Sequence, residues 1–390
     1  MREPEDAGKY WLENQQSVQG QVVGDHATVH IYHAPLNRST TPPTAPPERL
    51  WTLPFHRNRF FLGQEDLLTQ LHHRLTRGTP TALTQIQAIS GLGGIGKTQI
   101  AIEYAYRYRN TYPFVFWIRA EHLETLITDL VGLSSLLQLP EQHDSDQGKL
   151  VTAVKQWLAT HQGWLLIFDN ADDLSLLSPF LPEQHTGAIL LTTRASQTQP
   201  LAEPLLVEQM DERVGADFLL HRARLLVPGQ ALEEAAPADQ RAARQLCQLV
   251  GGLPLALDQA GAYIDETQCS PQDYLNFYQQ DQQVRATLLQ RRGKVTAGHP
   301  EPVATTWALA FARVEQASQA AADLLRACAF LAPDLIPEDL LRQGSHCWGP
   351  ALESVAALPF QWNETIGELL KYALVRRSRE HQALSMHRLV

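Results

Sequence analysis

The chain has 390 residues, 44% of them apolar, which is the composition of a globular protein and too long for one ordinary hydrophobic core, so roughly two to four domains are expected. Lys and Arg number 32 against 42 Asp and Glu, and the formal charge of −10 argues against nonspecific nucleic-acid binding as the main activity. The four cysteines, Cys247, Cys269, Cys328 and Cys347, form no C-x-x-C pair, so neither a zinc site nor a disulfide framework is indicated; with no signal sequence and no apolar run of bilayer length, a cytoplasmic protein without a membrane segment is expected.

Residues 1 to about 15 are polar. Val18 to Tyr32 then shows two short runs of β-forming residues around a Gly24-Asp25 turn, which predicts a small hairpin within an N-terminal motif, 1–36. The stretch 37–50 contains NRSTTPPTAPP, lacks apolar periodicity and reads as a proline-rich linker that tethers the hairpin away from the core. From Leu50 the chain turns globular, and Phe60 to Leu68 leads into an amphipathic helix that runs to about Arg77. Strand-like runs follow at Gln85 to Ile89, Val115 to Ile118, Trp164 to Phe168, Ala188 to Arg194 and Leu205 to Val207, interleaved with helix-like runs at Gln99 to Ala105, Leu123 to Leu137 and Leu150 to Thr160. Continuous apolar strands alternating with helices mean a parallel sheet covered on both faces, here over 51–207.

Beyond about Met210 the strands stop. Glu212 to Leu226, Gln240 to Val250, Leu253 to Ile264 and Pro271 to Gln279 read as helices, a small helical domain over 208–298. Over 299–390, helices at Trp307 to Arg313, Ala317 to Leu331, Pro337 to Leu341 and Thr365 to Tyr372 precede short strands at Leu374 to Arg377 and Ala383 to His387. Helices that end in a β-ribbon describe a winged helix. No internal repeat is visible.

The chemistry concentrates at Gly91 to Thr98, GLGGIGKT, which satisfies G-x-x-x-x-G-K-[ST] with a strand before it and a helix after it. Gly91, Gly93, Gly94 and Gly96, with Ile95 among them, let backbone N–H groups turn inward around phosphates, and the helix that continues through Gln99 adds its positive dipole end. Lys97 can reach the β/γ-phosphates and Thr98 can hold Mg²⁺, so a nucleotide with Mg²⁺ is the expected ligand. Trp164 to Asp169 is a buried strand that delivers a carboxylate to the same edge, where Asp169 can hold Mg²⁺ through water. Asp172 and Asp173 follow, and one of them can orient or deprotonate an attacking water; the plainer alternative is a helix N-cap, since Asp172 precedes Leu174 to Leu177. Arg194, at the end of its strand, aims a permanent cation at this edge and can sense a γ-phosphate, although a lone arginine after a strand is more often a surface residue.

GLGGIGKT, LLIFDNADD, LLTTR, GGLPLALDQAGAYI and the terminal MHRLV occur in the order seen in the NB-ARC family of signal-transduction ATPases, and the resemblance covers about 51–390. FFLGQEDL also resembles that family's opening motif, with Gln64 where an arginine is usual. The resemblance implies that Pro254 packs on the adenine from the helical domain, and that His387 contacts the β-phosphate of ADP and locks a closed state. Arg388 replaces the aspartate that follows the histidine in the family, and Asn170 replaces a second carboxylate common after the magnesium aspartate, which implies slow hydrolysis.

The whole reading is an α/β P-loop NTPase domain followed by a small helical domain and a winged helix, acting as a switch: closed with ADP, open and self-associating with ATP. The alternatives are a DNA-binding regulator, whose wing would use Arg376, Arg377 and Arg379, and a housekeeping ATPase. Residues 18–32 also resemble short amyloid signalling motifs that precede some ATPases of this class and template the same fold in a partner effector. Their composition agrees, with β-branched residues at Val18, Val22, Val23, Thr28, Val29 and Ile31 and no proline.

Overall fold

A computed structural model describes residues 10–13, 19–22, 30–31, 48–76, 86–182, 185–195, 198–199, 201–280, 282–290, 302–387 and 389. The chain divides into two units, Met1–Pro46 and Pro47–Val390. In the first unit β1 (Tyr10–Glu13), β2 (Gln19–Val22) and β3 (His30–Ile31) form an antiparallel sheet in the order β1-β2-β3, with Tyr10 opposite Val22 and Gly20 opposite Ile31. The expected hairpin corresponds to β2 and β3, and its Gly24-Asp25 turn lies outside the described residues. Strand β1 adds a partner in a stretch that read as merely polar.

The second unit is built on six parallel strands. Its elements run β4 (Leu50–Trp51), α1 (Glu65–Thr76), β5 (Gln87–Ser90), α2 (Lys97–Arg107), β6 (Phe114–Arg119), α3 (Leu123–Leu136), α4 (Gln147–Thr160), β7 (Trp164–Asp169), β8 (Ala188–Thr193) and β9 (Glu203–Leu206), and the strand order is β4-β6-β7-β8-β5-β9. Every residue of β7 and β8 is buried. Side chains alternate across a strand, so each apolar run feeds two cores: Leu165, Ile167 and Leu190 pack with Leu68 and Ile100 on one face, Leu166, Phe168 and Leu191 with Leu126 and Val154 on the other. That two-sided burial is why WLLIFD and AILLTT carry no polar alternation.

Among the described residues the α-helices that follow are α5 (Glu212–Arg222), α6 (Pro237–Leu249), α7 (Pro254–Thr267), α8 (Pro271–Gln280) and α9 (Gln282–Gln290). Asp211 caps α5 by accepting from the Val214 N–H at 2.9 Å, and proline opens α6 and α7, where a missing N–H costs nothing. Leu219, Leu246, Leu257 and Tyr274 join the core on the α2 side of the sheet, so this layer is continuous with the parallel-sheet domain.

The chain ends in α10 (Val303–Ala317), α11 (Gln319–Ala329), β10 (Ile336–Pro337), α12 (Glu338–Gln343), α13 (Pro350–Ala356), α14 (Pro359–Lys371), β11 (Val375–Ser378) and β12 (Ala383–Met386), around a separate core that holds Leu324, Trp362, Ile366 and Leu384. Its antiparallel sheet has the order β10-β12-β11, and helices joined to a small antiparallel sheet are consistent with the expected winged helix. Pro337, expected to open a helix, instead pairs with Ala383 as a strand residue, and α12 starts one residue later. The expected basic wing is partly spent inside the fold. Arg377 donates to both carboxylate oxygens of Glu338, at 2.6 and 2.7 Å, and Glu338 also accepts from the Trp362 indole. Among the described residues no helix is long and apolar enough to cross a membrane.

Candidate nucleotide site

The loop Gly91–Gly96 joins the C-terminal end of β5 to α2. Gly96 is the N-cap of α2 with φ 97°, a left-handed conformation that suits glycine, and no side-chain hydrogen bond caps this end. The first N–H groups of α2 are therefore turned toward the loop, as anion binding requires. Lys97, the first helical residue, is 8% exposed and folds back to donate from Nζ to the carbonyls of Gly91 and Leu92, both at 2.8 Å. Burial pushes its ammonium down to about 8, against the pull of Asp172 and Asp169 and with the push of Arg194.

Asp169 ends β7 and is buried. Its Oδ1 accepts from the Thr98 hydroxyl at 2.9 Å and from the Thr192 hydroxyl at 2.5 Å. Burial raises its carboxyl above the usual range, opposed by those two hydroxyls and by Lys97. The Thr98 hydroxyl and the Asp169 carboxylate are adjacent hard oxygen donors and fit Mg²⁺. Asn170 has φ 59° and donates its N–H to Thr192 Oγ1 at 3.0 Å. Asparagine tolerates the left-handed region better than most residues, which gives a backbone reason for asparagine at this turn.

Asp172 and Arg194 are found bound to each other. Asp172 Oδ1 accepts the Arg194 backbone N–H and Oδ2 accepts its Nε, each at 2.8 Å, and Nη2 also donates to Oδ2; the side chains are 16% and 17% exposed. The N-cap alternative belongs to the neighbour: Asp173 accepts from the Ser175 N–H at 3.0 Å and opens a 3₁₀ turn, Leu174–Leu176, where a helix was expected. Asp172 is thereby left for Arg194.

The α7 side closes over the loop. The Leu255 N–H donates to the Gly94 carbonyl at 3.2 Å. Pro254 lines an apolar cavity of about 80 Å³ with Phe61, Leu62, Ile95, Gln99, Met210 and Phe218. Gln99 accepts from Asn58 at 3.0 Å, which ties the cavity wall to the chain ahead of α1. His387 follows β12, is 5% exposed, and accepts the Leu389 N–H on Nδ1 at 3.2 Å, so its proton is on Nε2, which donates to the Gly251 carbonyl at 3.1 Å. Arg388 lies outside the described residues.

Lys97, Thr98, Asp169, Asp172 and Arg194 thus gather at the C-terminal edge of β5, β7 and β8, while Pro254 and His387 approach from the α7 entry. Trp307 and Thr192 were not foreseen. Trp307 donates its indole N–H to the Gly93 carbonyl at 3.4 Å and meets the His387 ring edge-on, with centroids 5.4 Å apart. Thr192 was visible as a polar residue in a buried apolar run, and that was its signal.

Residues 64–208 match the NB-ARC domain, and residues 312–390 match a domain of unknown function (DUF7779). A nucleotide-binding leucine-rich repeat (NLR)-like protein of Hyaloscypha variabilis is 27% identical over 379 residues, 90% of this chain and 36% of that protein. The regulatory protein AfsR of Streptomyces griseus is 27% identical over 207 residues, 50% of this chain and 20% of its own length. The chain therefore spans little more than a third of the NLR-like relative. Among solved structures, the Aeropyrum pernix ORC2 protein aligns with TM-score 0.48 at 12% identity over 85% of this chain and 92% of its own. A signal-transduction ATPase with numerous domains (STAND) and a tetratricopeptide repeat sensor, from Pyrococcus horikoshii, aligns with TM-score 0.35 at 13% identity over 86% and 42%. The NB-ARC match lies on the parallel sheet and on the phosphate loop, Thr98 and Asp169 that the sheet brings together, so residues 64–208 are an NB-ARC domain of the P-loop type.

Proposed function

We propose that the chain is a nucleotide-operated signalling switch, closed with ADP and open and self-associating with ATP, serving a defence or regulated-cell-death response. The observation that carries this reading is convergence on one loop: Gly94 bonds to the α7 entry, Gly93 to Trp307 of α10, and Trp307 leans on His387, which bonds to Gly251. A ligand seated in that loop is felt by both later domains.

Each polar group at the site has a protein partner that a phosphate can replace. Lys97 exchanges the Gly91 and Leu92 carbonyls for phosphate oxygens. His387 exchanges the Gly251 carbonyl for the β-phosphate and so favours ADP and closure. Arg194 exchanges Asp172 for the third phosphate, which ADP lacks. Thr98 and Asp169 would hold Mg²⁺, which when bound neutralises charge between the outer phosphates. Asp172, once released, can orient the attacking water, and hydrolysis is slow because Asn170 supplies no second carboxylate. Reversing a 1:99 population needs about 5.5 kcal/mol of differential binding, within reach of a third phosphate that gains an arginine and a metal contact.

The test is calorimetry of ADP and of a non-hydrolysable ATP analogue on Arg194→Ala and His387→Ala. Arg194→Ala weakens the ATP analogue roughly tenfold or more while changing ADP little, and His387→Ala does the reverse. Equal losses of both nucleotides in both variants would remove the separate sensors and, with them, the switch.

A further inference from the structure

Helix α10 carries a second arginine to the carboxylate that holds Arg194. Arg313 donates from Nη2 to Glu121 Oε1 at 3.2 Å, and its Nη1 is 3.9 Å from Asp172 Oδ2, the same oxygen that accepts Arg194 Nε. Glu121 follows β6 and Asp172 follows β7, so one guanidinium spans the ends of two adjacent strands. The backbone of α10 is fixed at both ends: Val303 and Trp307 pack in the core shared with the sheet, Ala310 and Val314 in the C-terminal core.

This geometry bears on the step in which Arg194 leaves Asp172. The departure would strand a largely buried carboxylate beside an incoming phosphate, and an unpaired charge in that position opposes the exchange. We infer that Arg313 is a positioning residue for ATP: it supplies the counter-charge that Asp172 needs when Arg194 turns to the third phosphate. The inference rests on the switch reading above. A guanidinium has donors enough to keep Glu121 while it closes the remaining gap to Asp172. ADP makes no such demand, because without a third phosphate Arg194 stays on Asp172. Arg313 thus acts on the choice between the two nucleotides through Asp172.

The experiment is calorimetry of the full chain with AMP-PNP and with ADP. Arg313→Ala weakens AMP-PNP roughly three- to tenfold and ADP less than about twofold, a modest size because Arg313 is partly exposed and screened. Arg313→Lys recovers most of the loss, and Arg313→Glu, which faces Asp172 and Glu121 with like charge, is worse than alanine. The decisive arm is a double-mutant cycle: with Asp172→Asn no carboxylate is stranded, so Arg313→Ala added to it has no further effect on AMP-PNP. Equal loss of both nucleotides in Arg313→Ala, or an undiminished loss in the Asp172→Asn background, overturns the inference. Arg194→Ala, run alongside, separates the two failures. If its loss falls on AMP-PNP and spares ADP, the switch reading stands and Arg313 alone is wrong; if it loses both equally, both fall.

Discussion

Lys97 is held below the ordinary ammonium range by burial, at about 8, and that displacement has two consequences of opposite sign. Between about pH 8 and the unfolded value near 10.4 the unfolded chain binds the extra proton, so the nucleotide-free protein gains stability as pH rises through that window. Nucleotide affinity moves the other way. Phosphates raise the lysine's pKa again, binding takes up a proton above pH 8, and ADP should bind roughly tenfold more weakly at pH 9 than at pH 7. Calorimetry at pH 8.5 in buffers of different ionisation enthalpy reads that proton directly, and no uptake would show that Lys97 stays charged in the empty site. Lys97→Ala should lose ADP and ATP affinity with the fold kept, since the side chain bonds only to loop carbonyls in the contacts described. At this scale the phosphate loop was legible because its chemistry is local, eight residues in a strand–helix setting. The partners of Asp172 were not: Arg194 and Arg313 reach it from another strand and from α10, and periodicity says nothing about which charge meets which.

The loop that enters α7 shows how much an element end can decide. Gly252 has φ 62°, and a Cβ there would stand 2.1 Å from the Met210 carbonyl oxygen, while Met210 donates its own N–H to the Gly252 carbonyl at 3.0 Å. Gly252→Ala must therefore push the α5 and α7 entries apart and shift the Gly251 carbonyl that holds His387. It should cost about 1–3 kcal/mol or more of stability and loosen ADP further. Gly132, exposed in α3 with nothing near its Cβ position, is the matched contrast: Gly132→Ala should stabilise by about 0.5–1 kcal/mol. Denaturant midpoints of the two variants on the same day decide it, and similar shifts would sink the argument. Length explains which elements the sequence revealed. Six-residue runs such as β7 and β8 declare themselves by continuous apolar character, whereas Leu50–Trp51 and Ile336–Pro337 are two-residue strands fixed by their partners and too short to show a period. Helix α13 was missed for a related reason, since seven residues opened by a proline give less than two periods.

The whole molecule joins the unit that carries the NB-ARC match to a small N-terminal β unit through a proline-rich stretch, and the function proposed above assigns them different tasks. Use of the C-terminal domain as a DNA reader is disfavoured by Arg377, which is clamped on Glu338 and is not free to meet a phosphate backbone. Self-association with ATP would bring several N-terminal units together, and a higher effective concentration favours strand stacking between copies. The β unit sharpens that expectation. Strand β2 pairs with β1 on one edge and β3 on the other, so β1 covers an edge that would otherwise be a template for another chain. A synthetic peptide of residues 15–34 lacks β1 and exposes that edge; a peptide of residues 8–34 keeps it covered. The shorter peptide should form thioflavin-positive fibres with the 4.7 to 4.8 Å spacing of stacked strands, after a shorter lag than the longer one. Equal lag times would remove the edge argument, and a 15–34 peptide that stays monomeric at high concentration would remove the templating role of this segment altogether, leaving β2 and β3 as part of an ordinary small sheet.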